Sequence, residues 1–394
     1  MLYKKRLERN IFLSYVSTFL VSWLFFIPIW FSFETQFANP GLLSVIYALT
    51  YVITIILEIP TGALADLIGR KSTVITGSII QGLGWILISQ SKGVEWLWCG
   101  YGIGAIGGAL ISGANTALVY DSLKELGRER YFARFSSLSG LLFRVGMIFS
   151  SFLGGYIYLI NKGLPYILVG VNYILAGIVT FLIIEPKIDS EKFSFQNYLR
   201  QTGLGVKHLL ANEKIKWYSV YYMIIGGTTW YFQYFLNQSY ATLMGFDEIQ
   251  RSWLFSSVFL IIGVLGLFIA KHVSKYKFFI VMLPVLTIVG YFSGAVANSL
   301  VAIVAIFLVQ FTGTLRFSIL DQYANDQIES RYRATALSVL NMSVSLVFVV
   351  LSLGLSSVID SHGAKIVMGI MGMITLIAGV PATIKVLVNE RNGK

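Results

Sequence analysis

The sequence predicts an all-α membrane protein, with twelve transmembrane helices arranged as two pseudo-symmetric six-helix bundles. Three observations carry that expectation. Of the 394 residues 56% are hydrophobic and 12% are charged, about half the charge fraction that a soluble surface needs. The apolar residues fall in long continuous runs near the ~20 residues that span a bilayer. Lysine and arginine alternate between rich and poor connections along the chain. Runs of this length argue against a transmembrane barrel, whose strands are short and alternating. The composition also overrides the two soluble domains that length alone suggests.

The N-terminal segment MLYKKRLERN is basic, and an apolar run over 11–33 follows it. That run is too long for a signal-peptide core, so it reads as a retained first span. The next five spans are expected near 41–64, 73–91, 96–119, 135–159 and 164–184. Small residues at four-residue spacing, Gly100, Gly104, Gly108 and Ser112 in the fourth and Gly146, Ser150 and Gly154 in the fifth, let helices approach closely in lipid. A polar segment, 185–216, divides the chain. Six more spans are expected near 217–237, 250–270, 278–297, 300–320, 335–358 and 365–387. The expected domains are therefore an N-terminal bundle, 1–184, a linker, 185–216, and a C-terminal bundle, 217–394. Tyr120–Leu138 and Tyr323–Leu340 echo each other: each has Tyr at a helix exit, a polar loop with basic residues, then Ser-x-Leu at re-entry. Repeated halves of this kind are a transporter signature.

Charge sets the orientation. With the N-terminus inside, the cytoplasmic segments hold 24 Lys and Arg, the outer loops hold four (Lys92, Lys162, Arg251 and Lys365), and Arg144 and Arg316 fall inside apolar runs. By the positive-inside rule this places both termini in the cytoplasm. It also accounts for the net charge of +11 without nucleic acid, since basic loops face anionic lipid headgroups. The lone Cys99 excludes an intramolecular disulfide and reads as a small packing residue.

The stretch EIPTGALADLIGRKS, Glu58–Ser72, concentrates charge at the turn between the second and third spans. Gly62 permits a close helix approach, and Gly69 permits a tight turn. Asp66 suits a helix N-terminus, where unpaired N–H groups favour an anion. Arg70 can pair with a carboxylate, and Asp121 at the exit of the fourth span is the candidate. Gly62-x-x-x-Asp66-x-x-Gly69-Arg70-Lys71 resembles motif A of the major facilitator superfamily. RATALS at Arg333–Ser338 strengthens the match, and ALVYDSL at Ala117–Leu123 resembles the helix-four exit of prokaryotic drug-antiporter-like members. The resemblance implies a cytoplasmic latch, Gly62, Asp66, Gly69, Arg70, Lys71 and Asp121, with Asp66 approaching the start of helix eleven. The alternative is a turn whose charges only hold it in the cytosol. The matching turn in the second half, Gly266–Phe278, lacks the Asp and the Gly-Arg, and the fifth span keeps Gly154-Gly155 without Gly-Pro.

The resemblance further implies that spans one, four, seven and ten line a central cavity. They carry Trp23, Tyr101, Asn115, Trp230, Gln233, Tyr234, Gln310 and Arg316; interfacial belts are the other home for such aromatics. An intramembrane arginine is costly and faces a cavity or a partner. Arg144, about 13 Å into its helix at 1.5 Å per residue, is expected to pair with Glu58, whereas Arg316, near a helix end, can snorkel. Glu34, Glu58, Arg144 and Asp321 are the gating or coupling candidates, with Glu34 ending the first span on the outer side.

The function expected is secondary active transport of a small organic solute across the cell membrane by alternating access, as proton-coupled efflux of amphiphilic compounds. The expected partners are that solute, protons and membrane lipid, with the chain acting as a monomer and without nucleic acid. Uptake or export of a small anionic metabolite is one alternative. A membrane sensor or a polytopic membrane enzyme is another, although an enzyme needs acid–base, nucleophilic or metal chemistry, and His208, His272 and His362 lie in separate connections. No Gly-x-x-x-x-Gly-Lys-[Ser/Thr] segment for ATP is present, and no cofactor or metal is expected.

Overall fold

The computed structural model describes residues 2–187, 195–210, 212–272, 276–328 and 333–392, and the regular elements among them are helical. They form two compact units: Met1–Ala38, Leu49–Phe195 and Asp247–Phe259 make the first, and Asn39–Ala48, Gln196–Phe246 and Leu260–Lys394 make the second.

The expected first span is broken. Helix α1 (Leu2–Val21) ends before Ser22, residues 22–29 form turns, and a five-residue helix, α2 (Trp30–Glu34), follows. The Ser22 hydroxyl donates to Phe19 O at 2.6 Å, and Pro28 has no N–H with which to continue a helix. Helix α3 (Pro40–Ile68) runs through Pro60, so the expected turn shrinks to one residue. Glu58, Gly62 and Asp66 are helical, and only Gly69, at φ 91°, reverses the chain. Thr61 beside Pro60 donates to Leu57 O at 2.8 Å and lies 3.1 Å from Ala109 O, a local substitute for backbone pairing of the kind that makes Pro tolerable in spanning helices. Helices α4 (Arg70–Ser89), α5 (Val94–Glu125), α6 (Phe132–Ile160) and α7 (Leu164–Phe181) complete the first half of the chain.

Helix α4 packs on α5 and α7, and α1 packs on α5, α6 and α7. The α4–α5 contact uses Gly100 of the four-residue stripe and adds Gly107, which lies outside it. A Cβ on Gly77 would sit 2.9 Å from Gly107 O, and one on Gly84 would sit 2.8 Å from Gly100 O, whereas one on Gly104 would meet nothing within 4 Å. Gly100 and Gly107 are seven residues apart, a spacing that drifts only ~20° around a helix.

In the second half, α8 (Phe195–Leu209) is a helix inside the expected linker. Helix α9 (Glu213–Tyr231), capped by Asn212 accepting from Ile215 N at 2.8 Å, passes through a π-turn at Phe232–Leu236 into α10 (Asn237–Leu243). Helices α11 (Glu248–Ala270), α12 (Tyr276–Val296), α13 (Ser299–Gln327) and α14 (Arg333–Gly354) follow. Helix α15 (Ser356–Ile374) is interrupted at Gly363, φ 76°, and continues through a second π-turn, Thr375–Gly379, into α16 (Val380–Asn392). In the second unit α9 packs on α13, α14 and α16, and α12 on α13 and α15.

Among the described residues ten helices are long and apolar enough to cross a membrane. The other two of the twelve are the broken first span and α9, both of them interrupted and rich in polar or amphipathic side chains.

Candidate functional site

Three clusters of polar side chains stand out, each built within one unit. The first surrounds Gly69. Arg70 at the start of α4 forms an ion pair with buried Asp121 of α5, and its Nη1 donates to Ala117 O at 3.2 Å. Its backbone N–H and that of Lys71 donate to the two carboxylate oxygens of Glu185, each at 2.8 Å. A carboxylate thereby occupies the N-terminus of α4, where it is favoured electrostatically. Sequence reasoning gave Asp66 such a place and missed Glu185. Asp66 is exposed on α3, and residues 329–332, ahead of the helix it was expected to approach, lie outside the described residues. The missed signal is Glu185-Pro186, an acid just after the last span of the first half.

The second cluster is built on α2. Glu34, expected as a helix end on the outer side, is fully buried. Its Oε1 accepts from Tyr101 Oη of α5 at 2.5 Å and from Tyr166 Oη of α7 at 2.7 Å. Aromatic rings surround it: Phe26 stacks on Trp85 at 4.6 Å, Phe33 lies 4.9 Å from Tyr166, and Trp85 lies 6.1 Å from Tyr101. Burial without paired donors would be costly for a carboxylate, so the two hydroxyls hold it there. Trp23 packs instead with Phe19 and Phe25, and no hydrogen bond among the described residues brings Asn115 to this cluster. Tyr166 and Trp85 were not foreseen; neither carries a motif.

The third cluster lies in the second unit. Arg316 of α13 is fully buried, its guanidinium carbon 5.5 Å from the Trp230 ring and 5.9 Å from the Tyr222 ring. This corrects the expectation of snorkelling: α13 runs on to Gln327, which puts about 16 Å of helix beyond Arg316 at 1.5 Å per residue. Cation–π contacts of this kind contribute more when desolvated. The Tyr222 hydroxyl lies 2.8 Å from Asp321 Oδ1 and 2.9 Å from Asn341 Oδ1. Gln233 Nε2 donates to Gln310 O and Thr314 Oγ1, both at 3.3 Å. Tyr234 stacks on Trp230 at 4.9 Å and is exposed. A Cβ on Gly226 would lie 3.1 Å from Arg316 Nη1, so this glycine makes room for the guanidinium.

Two further expectations are corrected. No ion pair among the described residues joins Arg144 to Glu58. Arg144 lies on an exposed part of α6, whose main helix neighbours among the described residues are α1 and α7. Arg251, expected in an outer loop, is buried within α11 and donates to Ser32 Oγ at 2.5 Å. A buried acid near the C-terminus also escaped notice. Glu390 accepts from Tyr323 Oη at 2.5 Å and pairs with Lys214 at 2.7 Å and Lys277 at 3.8 Å. Among the described residues no three His, Cys, Asp or Glu side chains are grouped to hold a metal ion.

Comparison with known proteins adds a frame. A model of the Major Facilitator Superfamily matches residues 11–350. Two proteins named multidrug resistance protein MdtH, from Sodalis glossinidius and Baumannia cicadellinicola, are 28% and 30% identical to the chain over 95 residues. That stretch is 24% of this chain and spans only 24% and 23% of those relatives. The solved nucleoside transporter NupG superposes with a TM-score of 0.73 at 15% identity, covering 98% of this chain and 99% of NupG. The POT family transporter PepTSo gives 0.72 at 13%, covering 98% of each chain. At such identities these likenesses speak for the fold alone.

Proposed function

Because the chain belongs to the Major Facilitator Superfamily, and so is a transporter rather than an enzyme, we propose that it couples the efflux of amphiphilic organic compounds to proton entry by alternating access. The observation that carries this reading is Glu34: a buried carboxylate held by two tyrosine hydroxyls among aromatic rings. Such a group exchanges a proton or neutralises an organic cation, while the rings supply apolar contact. Apolar walls with few polar groups are what small-molecule sites use. The drug-resistance name of the two short-matching relatives favours efflux.

In this reading the chain sits in the cell membrane with both termini cytoplasmic, following the lysine and arginine asymmetry. The Gly69 cluster is then cytoplasmic, and Arg70, Asp121 and Glu185 form a latch that also uses Gly62, Asp66 and Lys71. Within the second unit, Trp230, Gln233, Tyr234, Gln310 and Arg316 are the candidate solute contacts, with Asp321 setting the charge beside Arg316. Export of an anionic solute is the second reading, favoured by that buried guanidinium.

Transport in proteoliposomes under an imposed proton gradient tests both. A cationic amphiphile such as tetraphenylphosphonium should move against the gradient-driven proton flux, and Glu34→Gln should remove the dependence on the gradient. Gradient-dependent movement of organic anions alone, lost in Arg316→Lys, would favour the second reading. Gradient dependence that survives Glu34→Gln would refute the role given to Glu34.

A further inference from the structure

The short helix α2 has two anchors on opposite sides. Ser32 and Glu34 are two residues apart, about 200° around a helix of 3.6 residues per turn. Glu34 faces α5 and α7 through Tyr101 and Tyr166. Ser32 faces α11, where its Oγ accepts from Arg251 Nη2 at 2.5 Å. Turns at residues 22–29 separate α2 from α1, so α2 is not the rigid continuation of a spanning helix.

Arg251 is built into the first turn of α11. It is 1% exposed, donates to Asp247 O at 3.3 Å, and pairs with Glu248 Oε1 at 3.0 Å. The same end of α11 is seated on α6: Gly155 N lies 2.8 Å from Ser252 Oγ, and Trp253 Nε1 donates to Tyr156 Oη at 3.0 Å. Beyond α2, Gln36 Nε2 donates to Tyr158 Oη of α6, and Lys162 Nζ donates to Gln36 Oε1, both at 3.2 Å. A buried guanidinium with these partners is costly to detach, which makes it a firm link.

We propose that Arg251 is a positioning residue that ties the seating of α11 on α6 to the state of Glu34, with α2 as the lever between them. The proposal rests on the reading of Glu34 as the coupling carboxylate. A change at Glu34 loosens its two tyrosine contacts, α2 shifts, Ser32 leaves Arg251, and the N-terminal end of α11 is released from α6. In the orientation proposed above, that end is external. Neither a Glu34 role alone nor an α6–α11 contact alone implies this link.

The test is a double-mutant cycle read by thiol labelling, in purified full-length protein with Cys99→Ser and a reporter at Ser151→Cys. Ser151 is fully buried on α6, one turn before Gly155. Glu34→Gln should speed maleimide labelling of the reporter by about threefold or more, and Ser32→Ala should do the same. The double variant should be no faster than either alone, because both break one chain of contacts. Arg251→Met should behave like Ser32→Ala, and Arg251→Lys should restore part of the response by donating to Ser32. Multiplying effects in the double variant, or a native labelling rate in Ser32→Ala, would overturn the proposal. Retained gradient dependence in Glu34→Gln would instead sink the coupling role of Glu34, and the labelling cycle separates the two failures.

Discussion

Gly155→Ala should push the protein out of the conformation described. A Cβ at this position would lie 2.6 Å from Ser252 Oγ and would overlap the backbone carbonyl of Glu248 still more closely. A serine side chain can rotate, but a helical carbonyl cannot, so α6 and α11 must separate by several tenths of an ångström. Overpacking of this kind costs about 1–3 kcal/mol. At 1.36 kcal/mol per tenfold, the bias against the seated state is roughly fivefold to 150-fold. The change adds one methyl group and raises helix propensity, so folding itself should not suffer. Maleimide labelling of the Ser151→Cys reporter should accelerate accordingly. Gly140→Ala on the same helix is the control, since a Cβ there meets nothing within 4 Å, and it should label at the native rate. Unchanged labelling in folded Gly155→Ala protein would refute the view that this glycine sets how closely the two helices approach.

Other expectations follow from the remaining clusters. Arg70→Ala and Glu185→Ala should each slow transport several-fold while membrane expression stays within about twofold, because a latch charge biases two states rather than the fold; native transport rates in both would reduce the turn to a topology signal. Glu390→Gln should lower the melting temperature by several degrees, since it removes a charged acceptor from Tyr323, Lys214 and Lys277 worth about 2 kcal/mol in all; an unchanged melting curve would show that the lysines find other partners. Impermeant thiol reagents should label a cysteine replacing Lys162 from outside intact cells and one replacing Lys71 only after permeabilisation, and the reverse pattern would invert the proposed orientation.

Much of the architecture was written in local chemistry. Run length and hydropathy determine that the helices span, because a bilayer demands internally satisfied backbone and apolar side chains of a set length. The motif around Gly69 was legible because a tight reversal needs a residue free to adopt positive φ, and charge cannot sit idle beside a membrane. What sequence reasoning missed shares one property: each contact joins residues far apart in the chain. Glu185 reaches Arg70 and Lys71, Tyr166 reaches Glu34, and Arg251 reaches Ser32. The same distance explains the corrections. Depth along a helix suggested Glu58 as the partner of Arg144, but depth says nothing of which helices are neighbours. Arg316 looked close to an end only because Asp321 and the polar residues after it resemble a loop, whereas in the fold α13 continues and Tyr222 lies beside Asp321. Hydropathy and charge act residue by residue and are read directly from the chain. The partner of a buried charge is chosen by helix packing, and only the tertiary structure decides it.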